Sequence, residues 1–327
     1  MSSIDASDGG ERHAGVFGAG VAPMRSLRII AGPTGAGKSA LAMRIAERTG
    51  AVLVSADSRQ IYRGFDIGTA KPSTEDRRRV PHEGIDVADP TERWSAARWA
   101  KAAEGWIAEA GARGRPTIIV GGTGLWLRAL VAPLAEEPPM EAGRRIAMQS
   151  ALATLDTATL RRWVETLDPP RAHLGRTQLV RAVEVALLTG TRISAWHSAA
   201  AGVPRRAARW LIVDPGPALA EQLEHRLDAM FAAGWADEVR ARMATVPEDA
   251  PAWNACGYRE IRQAVQGTVP MAAAREAVRV STRQYAKRQR TWFRNQLDEE
   301  PSVLRLDPRA PDAQARADQW FLEGDDA

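Results

Sequence analysis

The stretch Gly32-Pro33-Thr34-Gly35-Ala36-Gly37-Lys38-Ser39 decides how this chain is read. It fits G-x-x-x-x-G-K-[ST], and its surroundings are those the motif needs. Leu27 to Ala31 (LRIIA) reads as a short buried strand, and Ser39 to Arg48 (SALAMRIAER) carries Ala, Leu, Met and Ile at helical spacing. Strand, glycine-rich turn and helix start together form an anion cradle. Backbone N–H groups converge there, and the helix dipole adds partial positive charge. Lys38 is placed to reach terminal phosphates, and the Ser39 hydroxyl to sit on a Mg²⁺ ion. The stretch therefore predicts a di- or triphosphate site and leaves open what happens to that phosphate.

Outward from this turn the strand and helix signals alternate. Ala51 to Ala56 (AVLVSA) is a second strand, ending at Asp57, and a polar segment follows from Ser58 to Pro72. Ser95 caps a helix predicted to run to about Ala112, with Trp99 and Trp106 on one face. Thr117 to Val120 (TIIV) is a third strand, and Gly121-Gly122-Thr123-Gly124 turns the chain into another helix. This alternation predicts an α/β fold, a P-loop NTPase-like and kinase-like parallel sheet flanked by helices. Ligands in such sheets lie beyond the C-terminal strand ends, which places the glycine-rich loop, Asp57 and Thr123 on one edge. The second strand is expected to neighbour the first.

From residue 133 to 204 the strand signal disappears, the text turns helical and rich in arginine, and Pro138-Pro139 and Pro169-Pro170 punctuate it. We read a helical insertion domain there, between core segments 25–132 and 205–327. Trp210 to Val213 supplies another strand, ending at Asp214-Pro215. Helices are expected over about Ala218–Ala233, Trp235–Met243 and Met271–Gln296, then a strand at Val303–Leu306 and a short terminal helix. Residues 1–24 lack the basic start and apolar stretch of a signal peptide and are expected to be a disordered extension.

Composition bounds the function classes. The chain has 327 residues, 45% hydrophobic and 26% charged, which is ordinary for a globular protein. A net charge of +4 favours a polyanionic partner. The single cysteine, Cys256, excludes an internal disulfide and points to a reducing, cytoplasmic setting. No apolar run approaches the ~20 residues of a membrane span. The five histidines are scattered, with no Cys/His cluster at metal spacing, which argues against zinc or Cys–His chemistry. The chain is expected to act as a monomer.

Certain residues are candidates for chemistry. A hydrolytic P-loop enzyme has an acid on a neighbouring strand, yet the third strand ends in Gly121-Gly122. Asp57 and Asp214 do follow strands. Asp57 is the stronger candidate, and Asp214 reads as a turn cap. Thr123 is either an N-cap or a hydroxyl beside the phosphate loop. Ser281 to Gln296 holds Arg283, Lys287, Arg288, Arg290 and Arg294 without an acid, interleaved with Tyr285, Trp292 and Phe293. That pattern suits phosphate contacts plus base stacking, or a solvated face over a core contact. Arg161, Arg162, Arg176 and Arg181 make the insertion basic as well. Asn254 to Arg259 reads as a loop leading into a helix at Glu260, with Cys256 a small packed residue.

In chain order stand GPTGAGKS (Gly32–Ser39), SADSRQIY (Ser55–Tyr62), DIGTAKP (Asp66–Pro72), GGTGL (Gly121–Leu125), CGYRE (Cys256–Glu260) and TRQYAKRQRTW (Thr282–Trp292). Together they closely resemble the tRNA dimethylallyltransferase family, the bacterial tRNA isopentenyltransferases, over about Leu27 to Phe293. The resemblance implies transfer of the dimethylallyl group of dimethylallyl diphosphate to N6 of the adenosine immediately 3′ of the anticodon, releasing diphosphate. It implies Asp57 as general base and Thr123 on the bridging oxygen. Gly32, Thr34, Gly35, Ala36, Gly37, Lys38, Ser39 and Arg226 would hold the diphosphate, with Mg²⁺ on Ser39. The tRNA anticodon stem-loop would meet Asp57, Ser58, Arg59, Gln60, Thr177, Gln178 and Arg181. It would also meet Asn254, Cys256, Gly257, Tyr258, Arg259, Lys287, Arg288, Arg290 and Arg294, and near the insertion start Arg144 or Arg145. The chain departs from the family pattern at Leu174-Gly175, where relatives carry Asn-Asp, at Trp126, where Tyr is common, and at Trp99, where Phe is usual. Rival readings are an isopentenyltransferase acting on AMP or ATP, a small-molecule kinase, and a non-enzymatic RNA-binding protein.

Overall fold

In a computed structural model, residues 26–132, 134, 138–199, 206–297 and 302–323 are described; the extension expected over 1–24 lies outside them. Short apolar runs pair into one sheet: β1 (Leu27–Ala31), β2 (Val52–Ser55), β3 (His82–Glu83), β4 (Thr117–Gly121), β5 (Ala208–Val213) and β6 (Val303–Leu306). Every neighbouring pair is parallel, in the order β3-β2-β4-β1-β5-β6. β1 and β2 are buried along their whole length, as continuous apolar strands covered on both faces must be.

The helices, in chain order, are α1 (Lys38–Thr49), α2 (Thr74–Arg79), α3 (Ala96–Ala112), α4 (Gly124–Val131), α5 (Ala142–Ala153), α6 (Thr157–Leu167), α7 (Arg176–Thr189) and α8 (Ile193–Ala199). After β5 come α9 (Leu219–Ala232), α10 (Trp235–Met243), α11 (Tyr258–Val265), α12 (Met271–Gln296) and α13 (Ala313–Leu322). The Ser95 hydroxyl caps α3 by accepting from the Arg98 amide at 3.1 Å. Trp99 on α3 and Trp126 on α4 stack at 5.1 Å, both buried, so those two departures from the family pattern pack against each other. None of the described helices is long and apolar enough to cross a membrane.

The expected adjacency of the first two strands is not observed. β4 lies between them, Ile119 pairing with Ile29 on one side and Val54 on the other. The α1 crossover skips one position, which the later TIIV run fills, Ile118 and Ile119 fully buried. Alternation of elements specifies parallel strands but not their order. The outcome matters for the site, because Thr123 after β4 stands between the glycine-rich loop and Asp57. The short β3 and α2 were not foreseen either; His82-Glu83 carries no apolar signal.

The chain divides into two compact units, Val131–Arg205 and the remainder. The smaller unit has its own core, with Leu160, Val164, Leu179 and Val183 fully buried. It also buries Glu184. Desolvation pushes that carboxyl up, but bonds from Arg181, Gln149 and Arg145 outweigh it and hold it below its usual value. At Gly175, the N-cap of α7, no side chain supplies a capping bond.

Candidate active site

The turn after β1 ends at Gly37, which caps α1 in a left-handed conformation (φ 86°). The first amides of α1 have no intrahelical acceptor and face a cavity of about 240 Å³ lined by Thr34 to Ala40. Lys38 lies in this wall, its Nζ donating to the Pro33 carbonyl at 2.6 Å. Burial, then the nearby Arg226 guanidinium, push its pKa down to about 7, against the opposing pull of Asp57. Burial lowers the pKa of Arg226 as well. Two confined cations whose charge is disfavoured make a site built for an anion.

A larger cavity of about 570 Å³ adjoins the first, and Thr34, Asp57, Gly122, Arg226 and Gln289 line both. Asp57 thus stands at the junction. Its Oδ1 accepts from the Arg59 amide at 2.9 Å, which fixes the turn after β2. The Thr123 carbonyl accepts from Trp126 and Leu127, which begins α4, while its Oγ1 accepts from the Ser58 amide at 3.1 Å. The hydroxyl ties two loops together at the cavity wall.

Gln289 was not anticipated from the sequence. It is buried on α12, with Oε1 accepting from the Thr34 amide at 2.8 Å and Nε2 donating to the Gly122 carbonyl at 2.9 Å. A Cβ on Gly122 would stand 2.3 Å from that Nε2, so the loop lies flat on the glutamine. The signal was present: Val278, Ala286, Gln289 and Phe293 form the inward stripe of a helix whose other face is basic.

The DIGTAKP stretch is held by ion pairs. Lys71 donates to Asp66 at 2.6 Å, Asp86 at 2.5 Å and the Tyr62 carbonyl at 2.5 Å, and Arg77 joins Asp86 at 2.6 Å. Glu238 on α10 accepts from the Asp66 and Ile67 amides at 2.8 and 2.7 Å.

The expected RNA-contacting residues separate into groups. Ser58, Arg59, Asn254, Cys256, Gly257, Arg259 and Arg288 line the larger cavity. Lys287 and Arg294 are exposed on α12 and, like Arg288, form no ion pair among the described residues. Others are occupied within the fold. Gln60 is bonded to Ser55, Thr69 and Ala70. Tyr258 is fully buried and donates to Glu238 at 2.5 Å. Arg290 grips Asp214 (Nε to Oδ2 2.8 Å), and Asp214 also accepts from the Gly216 amide at 2.9 Å as a turn cap. All three have bonds within the fold that an RNA contact would have to share or replace. Thr177, Gln178, Arg181 and Arg145 belong to the smaller unit, the first two exposed on α7 and the arginines paired with Glu184.

A sequence model of the family described as IPP transferase matches residues 60–296, and one described as isopentenyl transferase matches 25–82. A tRNA dimethylallyltransferase of Geobacter metallireducens is 42% identical over 275 residues, spanning 82% of this chain and 89% of its own length. One from a Caulobacter species is 40% identical over 298 residues, 88% of this chain and 95% of that protein. Among solved structures, the tRNA delta(2)-isopentenylpyrophosphate transferase of Staphylococcus epidermidis superposes with a TM-score of 0.64 at 29% identity, covering 90% of this chain and 97% of that one.

Proposed function

This chain belongs to the tRNA dimethylallyltransferase (IPP transferase) family, and we propose that it transfers the dimethylallyl group of dimethylallyl diphosphate to N6 of the adenosine immediately 3′ of the anticodon. The observation that carries the reading is Asp57 on the wall shared by an anion-binding cavity and a larger one lined by Arg59, Arg259 and Arg288. The diphosphate occupies the small cavity, on the α1 amides, Lys38 and Arg226. The target base enters the larger one, flipped from the anticodon loop.

An adenine amine is a weak nucleophile, since its lone pair is delocalised into the ring. The C1–O bond of the donor therefore breaks early, and the main task is to stabilise the departing negative charge. Lys38, Arg226 and the loop amides do so from fixed positions. Thr123, between the loop and Asp57, donates to the oxygen that leaves with the diphosphate. As N6 bonds to C1 its proton becomes acidic and passes to Asp57. Mg²⁺ fits this site with the donor in place. Ser39 offers a hydroxyl in the small cavity, and no three His, Cys, Asp or Glu cluster among the described residues, so diphosphate and water would complete the shell. When bound, the ion supplies further charge neutralisation of the leaving group. Both cavities are lined by residues of the larger unit alone.

The test offers anticodon-arm RNA and AMP together to the enzyme with dimethylallyl diphosphate and Mg²⁺. N6-dimethylallyladenosine in the RNA is the expected product; label in AMP alone would select a free-nucleotide acceptor instead.

A further inference from the structure

The donor's hydrocarbon chain needs an apolar wall that starts at the diphosphate loop, and α9 provides one. Leu223, Leu227 and Met230 line the larger cavity from one face of this helix, with Arg226 among them. Leu223 abuts the loop: a Cβ on Gly35 would lie 2.7 Å from its Cδ2. Arg226, at the diphosphate, fixes where C1 of the donor stands. From there to Met230 the helix rises about 6 Å. A dimethylallyl chain, with bonds of about 1.5 Å, extends roughly 4 Å, and a geranyl chain roughly 9 Å.

An aromatic residue just after α9 borders the same cavity. The chain turns at Gly234 (φ 90°) and brings Trp235 into the lining of the same cavity, 1% exposed. Its indole is held by two glycines from distant segments. A Cβ on Gly68 would stand 2.1 Å from Nε1, and a Cβ on Gly257 (φ 89°) 2.4 Å from Cη2. Phe231 and Tyr258 complete the setting, with ring centroids at 5.7 and 5.5 Å. Gly68 and Gly257 belong to the DIGTAKP and CGYRE stretches, and their close approach gives both glycines a task that the transfer chemistry leaves unassigned. A ring wedged this way cannot swing aside.

We propose that the α9 face from Leu223 to Met230 is the subsite for the donor's hydrocarbon chain, and that Met230 and Trp235 set the longest chain it admits. The inference rests on the transfer reaction proposed above. A second isoprene unit would run past Met230 into the indole, so one unit fits and two do not.

The experiment compares dimethylallyl and geranyl diphosphate as donors to anticodon-arm RNA, using wild type, Met230→Ala and Trp235→Phe. The second substitution keeps a ring in the aromatic cluster, and circular dichroism checks both folds. The wild type should strongly prefer the shorter donor. Met230→Ala should raise the geranyl-to-dimethylallyl ratio of kcat/KM at least about tenfold, as expected when a hydrophobic pocket gains room for added carbon atoms. An unchanged ratio in both folded variants, with an active wild type, would overturn the subsite alone. A wild type inert with both donors would overturn the reaction reading and the subsite with it.

Discussion

Lys38 is the residue whose surroundings say most about the ligand. Its folded-state pKa of about 7 lies below the unfolded value of 10.5, so between those values the unfolded chain binds more protons. The charged lysine therefore weakens the free protein most below pH 7, and that weakness is relieved as pH rises toward 10.5. A bound diphosphate restores the charge. We expect pyrophosphate binding at pH 8 to take up protons, and affinity to fall as pH rises from 7 to 9. Calorimetry in buffers of different ionisation enthalpy reads the uptake, which Lys38→Met should reduce. Gln289 makes the complementary point. Gln289→Leu strands the Thr34 amide and the Gly122 carbonyl, a cost of about 1–3 kcal/mol for each group left buried. A clear fall in melting temperature and in transfer rate should follow; an unchanged pair of values would contradict its bridging role.

At the scale of elements, α12 shows what sequence reading reaches and where it stops. Its limits and its basic face were legible, because helical periodicity and charge are local properties. Which charges remain free was not, since pairing depends on partners far along the chain. Arg283 meets Glu224, Arg275 meets Asp228, Arg290 meets Asp214 and Arg279 meets Glu276 on the same helix, leaving Lys287, Arg288 and Arg294 without an ion pair among the described residues. Two outcomes follow from that division. Neutralising Lys287, Arg288 and Arg294 together should weaken RNA binding and flatten its salt dependence by about 0.7–0.9 per lost phosphate contact, with pyrophosphate binding intact. Arg290→Ala should instead lower the melting temperature by leaving Asp214 unpaired, with little change in the salt slope. Titrations across salt concentration together with thermal melts distinguish the two.

At the scale of the molecule, the sheet's strand order decides which loops meet at the cavities. With β4 between β1 and β2, the Gly121–Gly124 turn sits between the phosphate loop and Asp57, and the Thr123 hydroxyl joins it to the turn after β2 through the Ser58 amide. The motifs and their shared edge were legible in the sequence because each lies just after a strand. The strand order and the β3 edge were not, since pairing between separated runs leaves no local trace. The smaller unit overlaps the stretch where strand signal is lost, but its buried Glu184 depends on arginines and a glutamine from two helices, which no local signal reveals.

The most direct measurement is the single-turnover rate of prenyl transfer to anticodon-arm RNA by wild type and Asp57→Asn. The substitution preserves the shape of the cavity junction while removing the proton acceptor. The account predicts a fall of about 10²–10⁴-fold in rate with pyrophosphate affinity nearly unchanged. Equal rates would remove Asp57 from the proton transfer and contradict the mechanism built around it.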